Sequence, residues 1–193
     1  MTLRTITDFK NKLTGGGARA NLFEVSITFP TTLTGNDADL ERFMVKAAAL
    51  PASNIGPVEV PFRGRILKVA GDRTFDTWTV TVLNDTNFTL RHAFEDWINK
   101  INNVDTATGL ITPTDYMEEA KVSQLDRDGT VLRTYRLHDV FPTSVSQIDL
   151  SAESSDTIEE FTVEFQVQWW EAEKGDGGAA GGGDIATNKT STS

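Results

Sequence analysis

A chain of 193 residues, 38% of them hydrophobic, is long enough for one domain with a real core. Its 18 Lys and Arg against 28 Asp and Glu give a formal charge of −10, which argues against gripping nucleic acid through the whole surface, because phosphate binding needs clustered positive charge. With no cysteine and only two histidines, His92 and His138, disulfide frameworks, thiolate zinc sites and cysteine nucleophiles are excluded and imidazole chemistry is thinly supplied.

Met1 to Leu13 carry Asp8, Lys10 and Lys12 among isolated apolar residues, so no signal-peptide core is present there. No apolar run approaches the roughly 20 residues that cross a bilayer, and the expectation is a soluble protein made in a cytoplasm. A short helix is expected over 5–13. Gly15-Gly16-Gly17 follows and reads as a hinge: no Gly-Lys-Ser/Thr comes after it, and a strand follows rather than precedes it, unlike a phosphate loop.

Three strands are strongly marked. In 22–29, Phe23, Val25, Ile27 and Phe29 alternate with Glu24, Ser26 and Thr28. In 75–83, Trp78, Val80 and Val82 alternate with Thr77, Thr79 and Thr81. In 161–169, Phe161, Val163, Phe165, Val167 and Trp169 alternate with Thr162, Glu164, Gln166 and Gln168. Period-two alternation rich in β-branched and aromatic residues predicts antiparallel strands with one buried face. Weaker strands are expected at 43–48, 58–69, 117–125, 131–137 and 145–150, with a hairpin turn at Asp126 to Gly129. Between them, Leu90, Phe94, Trp97, Ile98 and Ile101 form one apolar stripe that predicts a helix over 88–101, started by Asp85, Thr86 or Asn87 and ended at Asn102-Asn103.

The composition changes near Glu171. Residues 174–183 read KGDGGAAGGG before a polar end, so 174–193 is expected to be a flexible Gly-rich tail beyond a domain of residues 1–173, whose first 17 residues form an N-terminal arm. Residues 171–193 hold four acidic against two basic side chains, so most of the acidity belongs to the body. The sum is an α+β fold, mainly antiparallel β, a β-sandwich or half-barrel with one packed amphipathic helix.

No catalytic residue, metal site or cofactor emerges. Asp126, Asp128 and Gly129 lack the remaining ligands of a calcium loop. His92 reads as a solvated helix residue, and His138 as structural, with no second histidine near it in sequence. Glu118-Glu119 and Glu159-Glu160 point to opposite faces of a strand, so neither doublet converges on a substrate by itself. The polar faces of the three strongest strands carry Ser, Thr, Gln and Glu but no Lys or Arg, a composition that suits either a wet sheet or the wall of a polar channel.

Three stretches carry a resemblance: ARANLFEVSI at 18–27, KAAALPASNIGPVEVPFRGRILKVAGDRTFDTWTVTVLND at 46–85, and LHDVFPTSVSQIDL with EFTVEFQVQWWE at 137–150 and 160–171. With Leu50-Pro51, the Arg63/Arg65 pair, Ala70-Gly71-Asp72-Arg73 and Trp78 in order, the chain resembles the tail tube proteins of contractile-tailed, T-even-type bacteriophages over about residues 18–171. That resemblance implies a virion structural protein, assembled in the host cytoplasm. Its hexameric rings stack into a hollow tube, with strands of each subunit joining a ring-wide β-barrel. Implied partners are further copies of itself, a tail sheath protein, a baseplate tube initiator and a tape measure protein. Double-stranded DNA passes through the lumen without specific binding.

Under this reading Glu24, Ser26, Thr79, Thr81, Glu164, Gln166 and Gln168 are expected to face the lumen, where an acidic wall lets DNA slide. Leu50, Pro51, Phe62, Arg63, Arg65, Arg73 and Trp170 are expected at subunit or ring contacts, with 46–65 as a proline-stiffened loop reaching a neighbour. The alternatives are the tube of a related contractile injection or secretion system, a monomeric β-sandwich binding module, and a carboxylate hydrolase whose acidic groups meet only in the fold.

Overall fold

The structure, a computed structural model, describes residues 5–13, 17–31, 33, 44–151, 153 and 156–174. Gly15, Gly16, Phe43 and the expected tail beyond Lys174 lie outside the described residues. Helix α1 spans Ile6–Lys12, and its first turn is closed by a reciprocal cap: the Thr5 hydroxyl accepts the Asp8 N–H at 3.3 Å and the Asp8 carboxylate accepts the Thr5 N–H at 3.0 Å. There follow β1 (Phe23–Ile27), β2 (Val45–Ala48), β3 (Ser53–Phe62), β4 (Arg65–Phe75), β5 (Trp78–Leu83), α2 (Thr89–Ile101), β6 (Glu118–Leu125), β7 (Val131–Val145), β8 (Glu160–Gln166) and β9 (Trp169–Lys174).

One antiparallel sheet carries the body, ordered β1-β6-β7-β8-β5-β2, with β9 also paired to β7. Strand β7 is long enough to serve two halves. Val131 to Val140 pairs with β6 on one side and β9 on the other, whereas Phe141 to Val145 pairs with β8. Asp139, in the left-handed region at φ 53°, marks the changeover. The two ends of the strand order, β1 and β2, touch, so the sheet curls into a half-barrel around its apolar side.

Alternation fills that side as the sequence predicts. Val25 and Ile27, Trp78, Val80 and Val82, Ala120 and Val122, and Phe161, Val163 and Phe165 are buried in one cluster. Helix α2 caps it: Phe94 lies 5.2 Å from Phe29 and 5.9 Å from Phe165 between ring centroids, and Trp97 donates its indole N–H to the Tyr116 carbonyl at 2.9 Å. The helix begins where the Asp85 carboxylate accepts the Thr89 N–H at 2.9 Å, with Phe88 left-handed at φ 56° before it. The turn expected at Asp126 to Gly129 is present, with Gly129 at φ 85° and the Asp126 N–H bonded to the Thr130 carbonyl at 2.8 Å.

Four expectations need correction. The loop expected at 46–65 starts within β2, and from Ser53 onward it and the strand expected at 58–69 are instead the two arms of one long hairpin, β3 and β4, turning at Arg63-Gly64. Both turn residues have positive φ, 47° and 82°, as a two-residue hairpin of right-handed twist demands. The strand expected at 145–150 is not formed: β7 runs through Pro142, with a register shift between Pro142 and Ser144, and ends at Val145, and residues 146–150 are outside any strand. The run 161–169 breaks at Val167-Gln168 and resumes as β9 against a different part of β7. Lys174 pairs with Arg133 in β9, so the ordered strand passes the expected boundary at 173.

Candidate assembly surfaces

The hairpin is the most distinctive surface. Across its ladder Val58 faces Val69, Val60 faces Leu67 and Phe62 faces Arg65, so one side is an apolar ribbon ending in an arginine. The other side carries Pro57/Ala70, Pro61/Ile66 and a Glu59–Lys68 ion pair at 3.4 Å. From the two-residue turn, alternate pairs are hydrogen-bonded, which puts Pro57 and Pro61 at the non-bonded pairs where a missing N–H costs nothing. The five apolar side chains of the ribbon are 45–67% exposed, so the body does not cover them. Ten residues of strand carry the tip about 30 Å from the root.

At the root the chain is held firmly. Trp78 donates its indole N–H to the Ala49 carbonyl at 2.8 Å, Trp170 donates to the Ala52 carbonyl at 3.1 Å, and the Asn54 amide donates to both Asp76 oxygens at 3.0 and 2.8 Å. The expected contact residues therefore form two groups. Phe62, Arg63 and Arg65 meet at the tip, where the Arg63 guanidinium lies 5.3 Å from the Phe62 ring centroid. Leu50, Pro51 and Trp170 gather at the root, and Arg73 sits on β4 opposite Ile55 near the same end. Trp170 is half-buried against its own subunit, edge-on to Phe75 and Tyr135.

The residues expected on the lumen share the side of the sheet away from the core, again in two groups. Thr79 pairs with Glu164 and Thr81 with Thr162 in the β5–β8 half. Glu164 accepts from the Ser144 hydroxyl at 3.1 Å, Gln166 pairs with Phe141, and Gln168 is exposed at the break before β9. Glu24 and Ser26 lie in the other half, opposite Ser123 and Lys121. None of the seven is buried.

Sequence reading missed the charges that β6, β7 and β9 bring to this second half. Lys121 and Arg136 pair across the ladder, and Arg136 bonds Glu173 at 2.8 Å. His138 stacks flat on Trp169 at 3.9 Å, with Glu119 3.5 Å and Glu171 3.1 Å from its ring nitrogens. Their signal was pairing, not spacing: only the register sets these side chains together. Beside them, burial first and the neighbouring Glu119 second push the Glu118 carboxyl above its ordinary value. The Glu159-Glu160 doublet is divided, Glu159 accepting from Asn84 and Glu160 from Lys46. Among the described residues no group of three or more potential metal ligands converges, and no helix is long and apolar enough to cross a membrane.

A folded half-barrel that holds an apolar ribbon clear of its own core is built as a subunit of an assembly, since a patch of that kind in water marks a contact with another protein. A family model described as phage tail tube protein matches residues 18–173. Tail tube protein gp19 of Enterobacteria phage T4 is 36% identical over 158 residues, covering 81% of this chain and 93% of its own length. The tail tube protein of Serratia phage KSP90 is 25% identical over 167 residues, covering 85% and 94%. The chain belongs to the phage tail tube protein family: it is a structural component of the virion tail, not an enzyme. In fold it also matches a chain of the sheath-tube complex of an extracellular contractile injection system, PVC, in the extended state, with a TM-score of 0.61 at 17% identity over 86% of this chain and 97% of that one.

Proposed function

We propose that copies of this chain close into hexameric rings that stack as the inner tube of a contractile phage tail, inside a sheath of another protein, and that double-stranded DNA leaves along the lumen. Family membership supports the tube, and the likeness to folds from a sheath-tube complex, a tube-terminating cap and a baseplate of contractile systems supports self-assembly next to a sheath. A baseplate tube initiator and a tape measure protein complete the expected partners. Glu24, Ser26, Thr79, Thr81, Glu164, Gln166 and Gln168 line the lumen in this reading. What supports them is their shared polar side of the sheet: in the β5–β8 half Thr79, Thr81, Glu164 and Gln166 present hydroxyls, an amide and a carboxylate, and in the other half Lys121 and Arg136 lie beside Ser26, with Arg136 held by Glu173.

The observation that carries the proposal is the hairpin. Its apolar ribbon is uncovered in the monomer, and its length lets it reach past its own subunit to the next ring. Leu50, Pro51, Arg73 and Trp170 hold or flank the root, and Phe62, Arg63 and Arg65 make the contact. Replacing Arg63 and Arg65 together by Glu should leave the circular-dichroism melt unchanged and sharply reduce the number and length of tubes in negative stain. Tubes of unchanged length and yield would overturn the hairpin's role, and a monodisperse monomer even with the baseplate initiator present would overturn the tube itself. The fold likeness to an injection-system tube supports a second reading, a tube that carries cargo other than a genome. Particles that package and release DNA exclude it.

A further inference from the structure

The stacking contact needs a receptor, and we infer that the tip of the hairpin seats in an acidic cleft at the opposite end of a second copy of this chain. The inference rests on the hairpin's role as a ring contact and names the surface that receives it. The cleft measures about 850 Å³, is half open to solvent, and lies between Lys46, Leu83 and the segments 147–151 and 156–160.

Position is the first argument. At the hairpin end of the β2-β5-β8 half stand Ala48, Val80 and the Trp78/Phe165 pair; at the other end stand Val45, Val82 and the Leu83/Glu160 pair. The hairpin leaves from the first end, and the cleft opens at the second. Donor and receptor are therefore different surfaces at opposite ends of the strands. A contact of that kind is heterologous and repeats without limit along one direction, as a stack of rings requires and a closed dimer does not.

Chemistry is the second. Asp149, Asp156, Glu159 and Glu160 line the cleft against the single ammonium of Lys46. Glu160 is already paired with the Lys46 ammonium, whereas Asp149 accepts the neutral Gln147 amide at 3.2 Å and Glu159 that of Asn84, so Asp149 and Asp156, on the two segments that flank the cleft, are the carboxylates that meet a cation. Leu150 and Ile158 are 80% and 71% exposed at the same place. The tip offers the complement: two arginines flanking one glycine, and Phe62 beside them. Residues 53–75 hold four basic against two acidic side chains in a chain whose total is −10, so the sign is reversed on the part that must enter.

A charge-swap series tests this. Arg63→Asp with Arg65→Asp, and separately Asp149→Arg with Asp156→Arg, should each lower tube yield about tenfold or more with the melt unchanged, while the four changes in one chain restore assembly to within a few-fold of wild type. If the hairpin variant fails and the cleft variant assembles normally, or if the fourfold variant is not rescued, the receptor lies elsewhere and the tube reading stands. If the hairpin variant itself assembles normally, the hairpin's role falls with the inference. The absence of cysteine gives an independent readout that leaves every charge in place. Ile66→Cys with Ser151→Cys should form a ladder of disulfide-linked copies on oxidation of assembled tubes, and tubes that yield no ladder overturn the proposal.

Discussion

The indole N–H of Trp170 reaches the carbonyl of Ala52 at 3.1 Å, tying the last strand of the body to the root of the hairpin. Because Phe75 packs edge-on against the same ring at 6.4 Å, one side chain touches the chain both where it enters β3 and where it leaves β4. Trp78 holds the entry from the neighbouring strand at Ala49. Projection of the hairpin is thus fixed by two tryptophans whose polar atoms both go to backbone, not to another side chain.

Trp170→Phe should therefore separate packing from direction. It keeps a ring against Phe75 and Tyr135 and loses one hydrogen bond, at a cost of about 0.5–1.5 kcal/mol. Trp170→Ala also empties the ring's space and costs up to about 3 kcal/mol because the site is only half-buried. Amide exchange should quicken in Ala52 to Asn54 in both, and tube yield should fall in the order wild type, Phe, Ala. Exchange unchanged in Trp170→Phe would mean that the indole bond does not hold the root.

Gly71 is a second point of leverage on the hairpin. A Cβ there would stand 2.7 Å from the Gly56 carbonyl oxygen and 2.9 Å from a Val58 methyl, beside the register shift between Ile55 and Pro57. Two backbones approach too closely for any side chain, so Gly71→Ala must move β3 or β4. Since no core residue is involved, the melting temperature should stay within about 2 °C of wild type while tube formation drops. A matching fall in melting temperature would show that the hairpin is coupled to the core.

Glu118 makes a prediction about the body instead. Burial, helped by Glu119, raises its folded pKa above the unfolded value, so the folded state holds the proton more tightly. The sign follows: stability from this group is lost as pH rises through the interval between the unfolded and folded values, and the ionised carboxylate is a burden above it. Glu118→Gln should raise the melting temperature by about one or two degrees at pH 7, with the gain fading toward pH 4. A gain that is equal at both pH values would assign the effect to packing.

How far these features were legible depends on burial. Val25 and Ile27 or Phe161, Val163 and Phe165 announce their strands because one face is sealed and the other wet, which writes a period of two into the sequence. The hairpin has no sealed face within the subunit, and Pro57 and Pro61 read as stiffening a loop, so only the ladder shows them at its harmless positions. Arg63-Gly64 is a weaker turn signal than Asp128-Gly129, although both put glycine at positive φ. The alternation from Phe161 to Trp169 runs on across the break at Gln168, because period two reports a face and is blind to a change of partner. The cleft was beyond reach: Lys46, Leu83 and Asp149 are distant in sequence and meet only through the β2-β5-β8 pairing.

The polar side of the β5–β8 half gives the sharpest test of the lumen assignment. Thr79 and Glu164 are directly opposed there, and Glu164 is held by Ser144 from the next strand. Thr79→Lys together with Glu164→Lys adds two cations and removes an anion at one spot, repeated in every subunit of every ring. If this spot faces DNA, the phosphates passing it meet a ladder of ammonium groups. For double-stranded DNA, 6–10 such contacts change affinity by about 10³–10⁵ between 50 and 200 mM salt. Ejection from particles carrying the variant tube should then stall in dilute buffer and recover as salt is added, whereas wild type shows little salt dependence. The recovery is the discriminating part: a tube that is merely misassembled fails at every ionic strength, and screening over about 10 Å at 0.1 M rescues only a charge that the DNA feels. Ejection equal to wild type in dilute buffer would put Thr79 and Glu164 on a face that DNA never meets.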